Sequence, residues 1–326
     1  LAPQPYMDNF LDKIFFRSRN LDYISQNLIN LTTQTPAKRI FEALNTYSES
    51  SEVRYVGGCV RKVIKKETVD DIDLATNLVP SEVCDALKKQ NINFYETGIQ
   101  HGTITAIIDD HKYEITSLRK DVSTDGRHAK VEFSSDWKED AARRDFSINS
   151  IYSDKDGNLF DPYNGKKDLE SGNINFIGDS ENRIKEDYLR ILRYVRFFIN
   201  YSNQSHDLNI IKKIKKNIGG VSKLSSERLL DEFKKLTRSN AFLKIFNDKI
   251  SLELIEIIFP QLKNLENFKK LNSHAIDNLA KVDFIFLLSL LIVDGSDNTD
   301  YFLYKFNISK KDQKRLKSID FFYKEN

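Results

Sequence analysis

The chain has 326 residues, long enough for two or three domains with hydrophobic cores of their own. Its formal net charge of +2 does not by itself indicate nucleic-acid binding, and two cysteines are too few for a disulfide framework or a zinc site. We therefore expect a reducing, cytoplasmic environment. The most apolar run, Val282 to Val293, is too short to span a bilayer, so we expect a buried helix there and no membrane association.

The predicted elements change in kind along the chain. Helices are expected from Phe10 to about Glu49, and strands mixed with helices from Arg54 to about Tyr163. From about Glu186 onward the sequence favours helix, because eleven of the 12 glycines lie at or before Gly220. The pattern thus predicts a mixed α+β region followed by an all-helical one.

The segment RYVGGCVRK, residues 54–62, predicts a strand, a tight turn and a helix that carries Arg61. At the turn, Gly57 and Gly58 leave the backbone N–H groups of the helix start open to a phosphate, because glycine has no side chain to block it. The Arg61 guanidinium can add a charge-assisted hydrogen bond. A double glycine alone is more often a plain turn, so the residues that follow decide its interpretation.

The segment DIDLAT, residues 71–76, is predicted to be a strand. Because side chains alternate along a strand, Asp71 and Asp73 project from one face and Asp70 points the other way. Neighbouring carboxylates repel each other unless a cation neutralises them, and hard divalent cations prefer oxygen ligands. A solvent-exposed acidic turn is the common alternative for an isolated pair. The glycine turn upstream favours instead a site for a metal-bound triphosphate.

The segment ARRDFSINSIY, residues 142–152, places Arg143 and Arg144 before Asp145 and an apolar stretch. If this segment is helical, Asp145 and Asn149 share a face. That arrangement suits a ribose hydroxyl, or the fixing of Arg144 against a phosphate. A purely structural Arg–Asp pair is the alternative.

The segment EDYLRILRYVRFFI, residues 186–199, predicts one amphipathic helix. Apolar side chains occupy one half of its surface, and the other half carries a carboxylate and three guanidinium groups, those of Asp187, Arg190, Arg193 and Arg196. A carboxylate accepts from an exocyclic amine, and a guanidinium donates to ring nitrogens or carbonyls, so an Asp–Arg pair can match cytosine or adenine but not uracil or guanine. The remaining arginines can reach phosphates. A salt-bridged structural face is the alternative.

In order and spacing, these motifs resemble the class II tRNA nucleotidyltransferase and bacterial poly(A) polymerase family, from about Tyr55 to Tyr201. The matching segments are GGCVRK with DDIDLAT, RRDFSINSIY with LFDPYNGKKDLESG, and EDYLRILRYVRFF. The CCA-adding branch, in its alphaproteobacterial form, is the most similar. The resemblance implies a nucleotidyltransferase (polymerase beta-like) mixed-sheet head followed by all-helical neck, body and tail. We expect a helical extension at residues 1–33, the head at 34–165, the neck at 166–240 and the body and tail at 241–326.

The resemblance also implies template-independent, two-metal nucleotidyl transfer with two Mg²⁺ ions, in which a tRNA 3′-hydroxyl attacks the α-phosphate of CTP or ATP. By position, Asp71 and Asp73 correspond to the metal ligands, and Glu114 is the candidate third catalytic carboxylate. Asp187 and Arg190 correspond to the base-reading pair. The other predicted nucleotide-binding residues are Gly57, Gly58, Arg61, Arg143, Arg144, Asp145, Asn149, Arg193 and Arg196.

Three features refine the expected activity. The segment DVSTDGRHAKV, residues 121–131, falls where the family has a flexible loop used in switching from CTP to ATP. The family usually has Asp where this chain has Lys62, which puts the role of Arg61 in doubt. The segment GVSKLSSERLLDEFKKL, residues 220–236, resembles the part that holds the acceptor arm of tRNA. We expect tRNA, CTP and ATP as partners and no obligate protein partner.

Other functions remain open at this point. We expect addition of CCA, or of its terminal A, to the 3′ end of tRNA. Poly(A) synthesis is the nearest alternative, and only substrate and product length separate the two. A catalytically silent RNA-binding protein of the same fold is a remote one. A metal phosphohydrolase would need a His–Asp cluster, and the five histidines are scattered without ligand spacing.

Overall fold

The computed structural model describes residues 22–124, 129–239 and 241–325. They form two compact units. The head unit comprises residues 22–120, 133–140 and 151–162, and the helical unit comprises the other described residues. The described residues do not include positions 10–21 of the predicted N-terminal helices. They also do not include positions 125–128 of the predicted loop. The division into four consecutive domains stays a prediction, since the two units interleave along the chain.

Nine strands are found in the described residues. In chain order they are β1 (Val53–Val56), β2 (Ile72–Thr76), β3 (Asn93–Gly98), β4 (Thr103–Ile108), β5 (His111–Ser117), β6 (Arg119–Thr124), β7 (Ala129–Phe133), β8 (Tyr152–Ser153) and β9 (Leu159–Phe160). Seven of them form one sheet in the order β3-β4-β5-β2-β1-β8-β9, and β6 pairs with β7 in a second sheet. Only β2 and β5 pair in parallel within the seven-stranded sheet.

The helices that precede residue 143 are α1 (Tyr23–Thr33), α2 (Ala37–Asn45), α3 (Gly58–Ile64), α4 (Pro80–Lys89) and α5 (Trp137–Ala142). Helix α1 is attached to the sheet, because Thr32 Oγ1 and the fully buried hydroxyl of Tyr55 lie 2.9 Å apart. The predicted N-terminal helical extension therefore belongs, in its described part, to the core of the head unit.

Strands β4 and β5 form an antiparallel hairpin within the region where the sequence predicts strands mixed with helices. Asp109 and Asp110 have φ of 49° and 62°, and two consecutive positive φ values are the geometry of the tight turn that suits twisted antiparallel strands. Burial alternates along β4 and β5, with Ile104, Ile115 and Tyr113 in the core. Alternation of this kind fixes which side chains of β5 face outward, among them Glu114.

The helical unit contains ten α-helices that begin after residue 163. They are α6 (Gly165–Ser171), α7 (Ser180–Glu186), α8 (Leu189–Tyr201), α9 (Leu208–Asn217), α10 (Ser226–Thr237), α11 (Lys249–Ile258), α12 (Ser273–Asp277), α13 (Phe284–Ile292), α14 (Asn298–Lys305) and α15 (Lys310–Glu325). Short 3₁₀ segments occur throughout the chain, at Ile99–His101, Ser147–Asn149, Ile218–Lys223, Phe242–Asn247, Leu265–Lys270 and Leu279–Lys281.

The apolar run near residue 290 forms the buried helix that its composition predicted. Most side chains of α13 are buried, and Asp283 caps its start by accepting from the backbone N–H of Phe286. Among the described residues, no helix is both long and apolar enough to cross a membrane.

Candidate active site

The strand-turn-helix predicted around the double glycine is present in the head unit as β1, Gly57 and α3. Gly57 has φ 66° and ψ −113°, a backbone conformation that side-chain-bearing residues avoid, and its N–H donates to Ile151 O at 3.1 Å. A Cβ atom added at Gly58 would lie 3.9 Å from both Arg61 Nη2 and Asp73 Oδ2. The structure thus brings Gly58, Arg61 and Asp73 together around one small space.

The predicted carboxylates lie at the start of β2 and on β5. Asp71 is exposed and directly precedes β2, whereas Asp73 is half-buried within it. Glu114 is exposed and is the register partner of Asp73 on the parallel strand β5, so both side chains lie on one face of the sheet. Repulsion between neighbouring carboxylates makes this edge suited to a cation.

The carboxylates at this edge suit Mg²⁺ by the number of ligands that they offer. Within the described residues, no group of three or more His, Cys, Asp or Glu side chains has the arrangement of a metal site. Magnesium does not require one, because it is usually held by one or two carboxylates and completed by water and substrate phosphate oxygens. Asp71 and Asp73 fit that pattern. The role of Glu114 as a third carboxylate stays a prediction.

Lys62, which departs from the family pattern, pairs with Asp70. The Lys62 ammonium donates to Asp70 Oδ1, and the same oxygen accepts from the backbone N–H of Asp71. Burial alone raises the pKa of Asp70, but the ammonium outweighs it and the net pKa lies below the ordinary value. Asp70 is therefore neutralised within the chain by Lys62. That Asp70, which is expected to point away from Asp71 and Asp73, is not a metal ligand stays a prediction.

In the helical unit, Asp145 and Asn149 do meet, but not on an α-helix. The segment forms a 3₁₀ turn at Ser147–Asn149, and Asn149 Nδ2 donates to Asp145 Oδ1 at 2.8 Å. The expected partner of Asp145 was Arg144; the structure instead places Arg193 Nε and Nη2 both 2.6 Å from Asp145 Oδ2. The reason is tertiary, since α8 brings Arg193 against a residue 48 positions earlier.

This ion pair extends into a buried network. Arg193 Nη1 lies 3.5 Å from Glu232 Oε2 on α10, and Arg196 Nε donates to Glu232 Oε1. The Glu232 side chain is 2% exposed. Burial by itself raises the pKa of Asp145, but the charge of Arg193 and the bond from Asn149 hold it well below its ordinary range. Arg193 and Arg196 thus form ion pairs with Asp145 and Glu232. This is the salt-bridged structural face that the sequence left open as the alternative to phosphate contacts.

The helix predicted over residues 186–199 is interrupted, which corrects the sequence prediction. Helix α7 ends at Glu186, Asp187 is extended with φ −153° and ψ 103°, and α8 begins at Leu189. Asp187 Oδ2 accepts from Arg228 Nη2 at 2.7 Å. Arg190 Nη1 donates to Glu186 Oε2 at 2.7 Å. The two predicted base-reading residues are neighbours at the start of α8, but each is held by a different partner.

The backbone of the predicted arginine pair is held by a residue that the sequence analysis missed. Arg183 Nη2 donates to the carbonyl oxygens of Arg143 and Arg144, both at 2.5 Å. Arg183 Nη1 also binds Glu186 Oε2, the oxygen that accepts from Arg190. Arg183 therefore connects the segment before Asp145 with the start of α8. Its only signal in the sequence is the i, i+3 spacing from Glu186.

Arg228 and Glu232 of α10 were also missed as individual residues. Both lie in the segment SSERLLDEF, and their i, i+4 spacing places them on one face of the helix. That spacing predicts a shared face but not the partners, because Asp187 and Arg193 lie about 40 positions earlier.

Two stretches of this chain match models of known protein families. Residues 53–175 match the family model described as Poly A polymerase head domain, and residues 207–266 match the one described as Probable RNA and SrmB-binding site of polymerase A. The CCA-adding enzyme of Lactobacillus johnsonii is 31% identical over 277 residues, which cover 83% of this chain and 68% of that protein. The chain belongs to the CCA-adding tRNA nucleotidyltransferase family.

Other members of the CCA-adding family extend the likeness. The human protein CCA tRNA nucleotidyltransferase 1, mitochondrial, is 36% identical over 282 residues, covering 85% of this chain but 63% of its own length. The chain thus spans less than two thirds of that relative. The Bacillus stearothermophilus CCA-adding enzyme in complex with CTP superimposes with a TM-score of 0.69 at 24% identity, over 89% of this chain and 70% of that one.

A second solved structure, a tRNA nucleotidyltransferase with a primer tRNA and an incoming ATP analogue, has a TM-score of 0.65 at 21% identity. It covers 90% of this chain and 83% of that one. These likenesses confirm the predicted fold, a mixed-sheet nucleotidyltransferase head followed by helices. The alphaproteobacterial affinity stays a prediction.

Proposed function

We propose that this chain adds CCA, or its terminal A, to the 3′ end of tRNA from CTP and ATP, with release of pyrophosphate. The observation that carries the proposal is the convergence of Gly58, Arg61 and Asp73, with the exposed residue Asp71 two positions before Asp73. A glycine turn for a triphosphate next to carboxylates for a cation is what nucleotidyl transfer requires. The names of the relatives in the CCA-adding family support tRNA as the acceptor.

In the proposed reaction, the oxygen of the tRNA 3′-hydroxyl forms a bond to the α-phosphorus and gives up its proton to solvent water. The bond between the α-phosphorus and the bridging oxygen breaks, and pyrophosphate leaves with that electron pair. Asp71 and Asp73 would hold Mg²⁺, which would neutralise charge on the attacking and leaving oxygens. The Gly58 backbone and Arg61 bind and orient the triphosphate.

Choice of nucleotide is assigned to Asp187 and Arg190. The Asp187 carboxylate accepts from the exocyclic amine of cytosine or adenine, and Arg190 donates to the ring edge. Arg143, Arg144 and Asn149 remain proposed contacts for ribose and phosphate. Asp145, Arg193 and Arg196 act through the ion-pair network that connects the 3₁₀ turn with α8 and α10.

Poly(A) synthesis is the second candidate, favoured by the description of the matching head domain. The two activities share their chemistry and differ in acceptor and in product length. The compartment stays a prediction: the sequence analysis favours the cytoplasm, and one relative is named mitochondrial.

The test is product length on tRNA transcripts that end at the discriminator base, at C and at CC, with CTP, ATP or both and Mg²⁺. Addition of CCA followed by arrest is the expected result, and a single A on the CC transcript alone defines a terminal-A enzyme. Long A tails on any RNA assign the chain to poly(A) synthesis. Absence of incorporation overturns the proposal. Asp73→Asn is the inactive reference, and Asp70→Asn, whose carboxylate pairs with Lys62, is the matched control.

A further inference from the structure

The extended residue Asp187 is held in place by a segment that begins about 30 positions later. We call residues 218–228, the 3₁₀ turn Ile218–Lys223 and the first residues of α10, the brace. The brace contacts Asp187 and its neighbour Tyr188 in two independent ways, through an ion pair and through close packing. Both contacts lie within the helical unit.

The ion pair fixes the Asp187 carboxylate. Its Oδ2 accepts from Arg228 Nη2 at 2.7 Å, and its Oδ1 accepts from the backbone N–H of Leu189 at 3.1 Å. Each carboxylate oxygen has a second lone pair. One bond to each oxygen thus sets the plane of the carboxylate and leaves acceptor capacity for an incoming amine. The Asp187 side chain is 25% exposed, so that capacity is accessible.

The packing fixes the backbone next to it. A Cβ atom added at Gly220 would lie 2.1 Å from Cε1 of the Tyr188 ring and 2.3 Å from Cδ1 and Cζ. Real Cβ contacts are essentially never shorter than 3.0 Å. Gly220 therefore has to be glycine for the ring to occupy this position. Lys223 Nζ, 5.7 Å from the ring centroid, covers the same ring.

Gly219 next to it provides the contrast. A Cβ atom at Gly219 would meet nothing within 4 Å, and neither glycine has a positive φ. An alanine at either position removes the same backbone freedom. Only the one at Gly220 displaces Tyr188.

From these contacts we propose that Gly220 and Arg228 are positioning residues for nucleotide selection, because they hold the Asp187 carboxylate where it meets the exocyclic amine of the incoming base. The inference rests on the proposed function and names residues that set its specificity. Arg228 orients the carboxylate and Gly220 orients the backbone that carries it. A shift of about 1 Å in such a group is enough to change reaction rates by orders of magnitude.

The test compares Gly220→Ala with Gly219→Ala, and Arg228→Met with Arg315→Met. Arg315 forms an ion pair of the same 2.7 Å length with Asp283, the residue that caps the start of α13, and is the matched control. The readout is the ratio of kcat/KM for CTP to that for UTP on a tRNA transcript ending at the discriminator base, with thermal melting of each variant. We expect the ratio to fall about tenfold in Gly220→Ala and Arg228→Met and to stay unchanged in both controls.

The same substitutions in an Asp187→Ala background separate specificity from a structural role. If both residues act through Asp187, they lower the CTP/UTP ratio no further once Asp187 is absent. Equal losses for CTP and UTP with an unchanged ratio overturn the inference, as do additive effects on the ratio. If Gly220→Ala does not fold, the CTP/UTP ratio of Arg228→Met alone decides whether the inference holds. Failure of the wild-type chain to incorporate CMP would instead count against the proposed function.

Discussion

The charged groups of the two units are arranged in opposite ways. In the head unit, the Asp71 and Glu114 carboxylates are exposed, and neither takes part in an ion pair with any described residue. In the helical unit, Asp145 and Glu232 are buried and each is bound by guanidinium groups. Among the described residues, the positive charge that offsets Asp145 and Glu232 comes from arginines of the chain itself. Asp71 and Glu114 have no such counter-charge there.

The difference predicts opposite consequences for substitutions in the two sets of carboxylates. Carboxylates that form no ion pair within the chain need an external cation to offset their mutual repulsion. They contribute little to the free energy of unfolding. A buried carboxylate deprived of its partner is strongly destabilising, because the charge cannot return to water. The head carboxylates should therefore affect activity without affecting stability, and the helical network should show the reverse.

Replacement of Asp71 by Ala should have the largest effect. We expect nucleotide transfer to fall about 10³-fold or more, since loss of metal-based charge stabilisation costs several kcal/mol in the transition state. The free energy of unfolding in urea should not decrease, because the substitution removes a repulsive charge. Rates with saturating Mg²⁺ measure the effect, with Asp70→Asn as the control. Unchanged activity in Asp71→Ala would revive the interpretation as a silent RNA-binding protein.

Replacement of Glu232 by Gln should destabilise the helical unit by about 3 kcal/mol, because it leaves two arginines without their shared buried counter-charge. Urea unfolding measures the change. Glu253→Gln removes an exposed ion pair with Lys215 and should cost less than about 1 kcal/mol. Similar costs for the two variants would show that the Glu232 network is not structural.

Replacement of Asp187 by Ala should alter nucleotide choice more than metal binding. We expect discrimination of CTP from UTP to fall about 10²-fold, since a site built to pair with an amine discriminates strongly. Incorporation rates for each nucleotide and the Mg²⁺ dependence of the rate measure the two properties. Weakened metal binding with unaltered preference for C and A would contradict the assignment.

The smallest effect is expected from replacement of His206, which lies between α8 and α11. The property affected is the pH dependence of stability. Its Nε2 is 2.7 Å from Asp248 Oδ2, and its Nδ1 is 3.0 Å from the Tyr194 hydroxyl. Burial lowers its pKa below the ordinary value of 6.5, although Asp248 opposes the change. The unfolded chain therefore binds more protons below pH 6.5, and stability should fall as the pH falls through that range.

His206→Gln should remove part of this pH dependence, measured as the free energy of unfolding between pH 7.5 and about 5. His274→Gln, at an exposed position on α12, is the control. If the free energy of unfolding changes with pH equally in wild type and His206→Gln, groups other than His206 cause the pH dependence.

Local patterns were enough to predict the strand, turn and helix that carry the candidate residues of the head unit. Strand β1, the glycine turn, α3 and β2 follow each other within residues 53–76, and alternation along a strand places Asp71 and Asp73 on one face. The hairpin at Asp109 and Asp110 and the buried helix α13 were likewise predictable from turn residues and apolar runs. These features depend on neighbours in sequence, so the sequence determines them directly.

The partners of the charged residues in the helical unit were decided by the tertiary structure. The pattern EDYLRILRYVRFF predicts the amphipathic helix α8 but not its start at Leu189. Before that start, Asp187 is extended and binds Arg228, and Tyr188 packs against Gly220. Asp145 binds Arg193, not the adjacent Arg144, because α8 places that guanidinium at the buried carboxylate. Periodicity fixes the face on which a charge lies, whereas its partner is set by which distant segment the fold packs against that face.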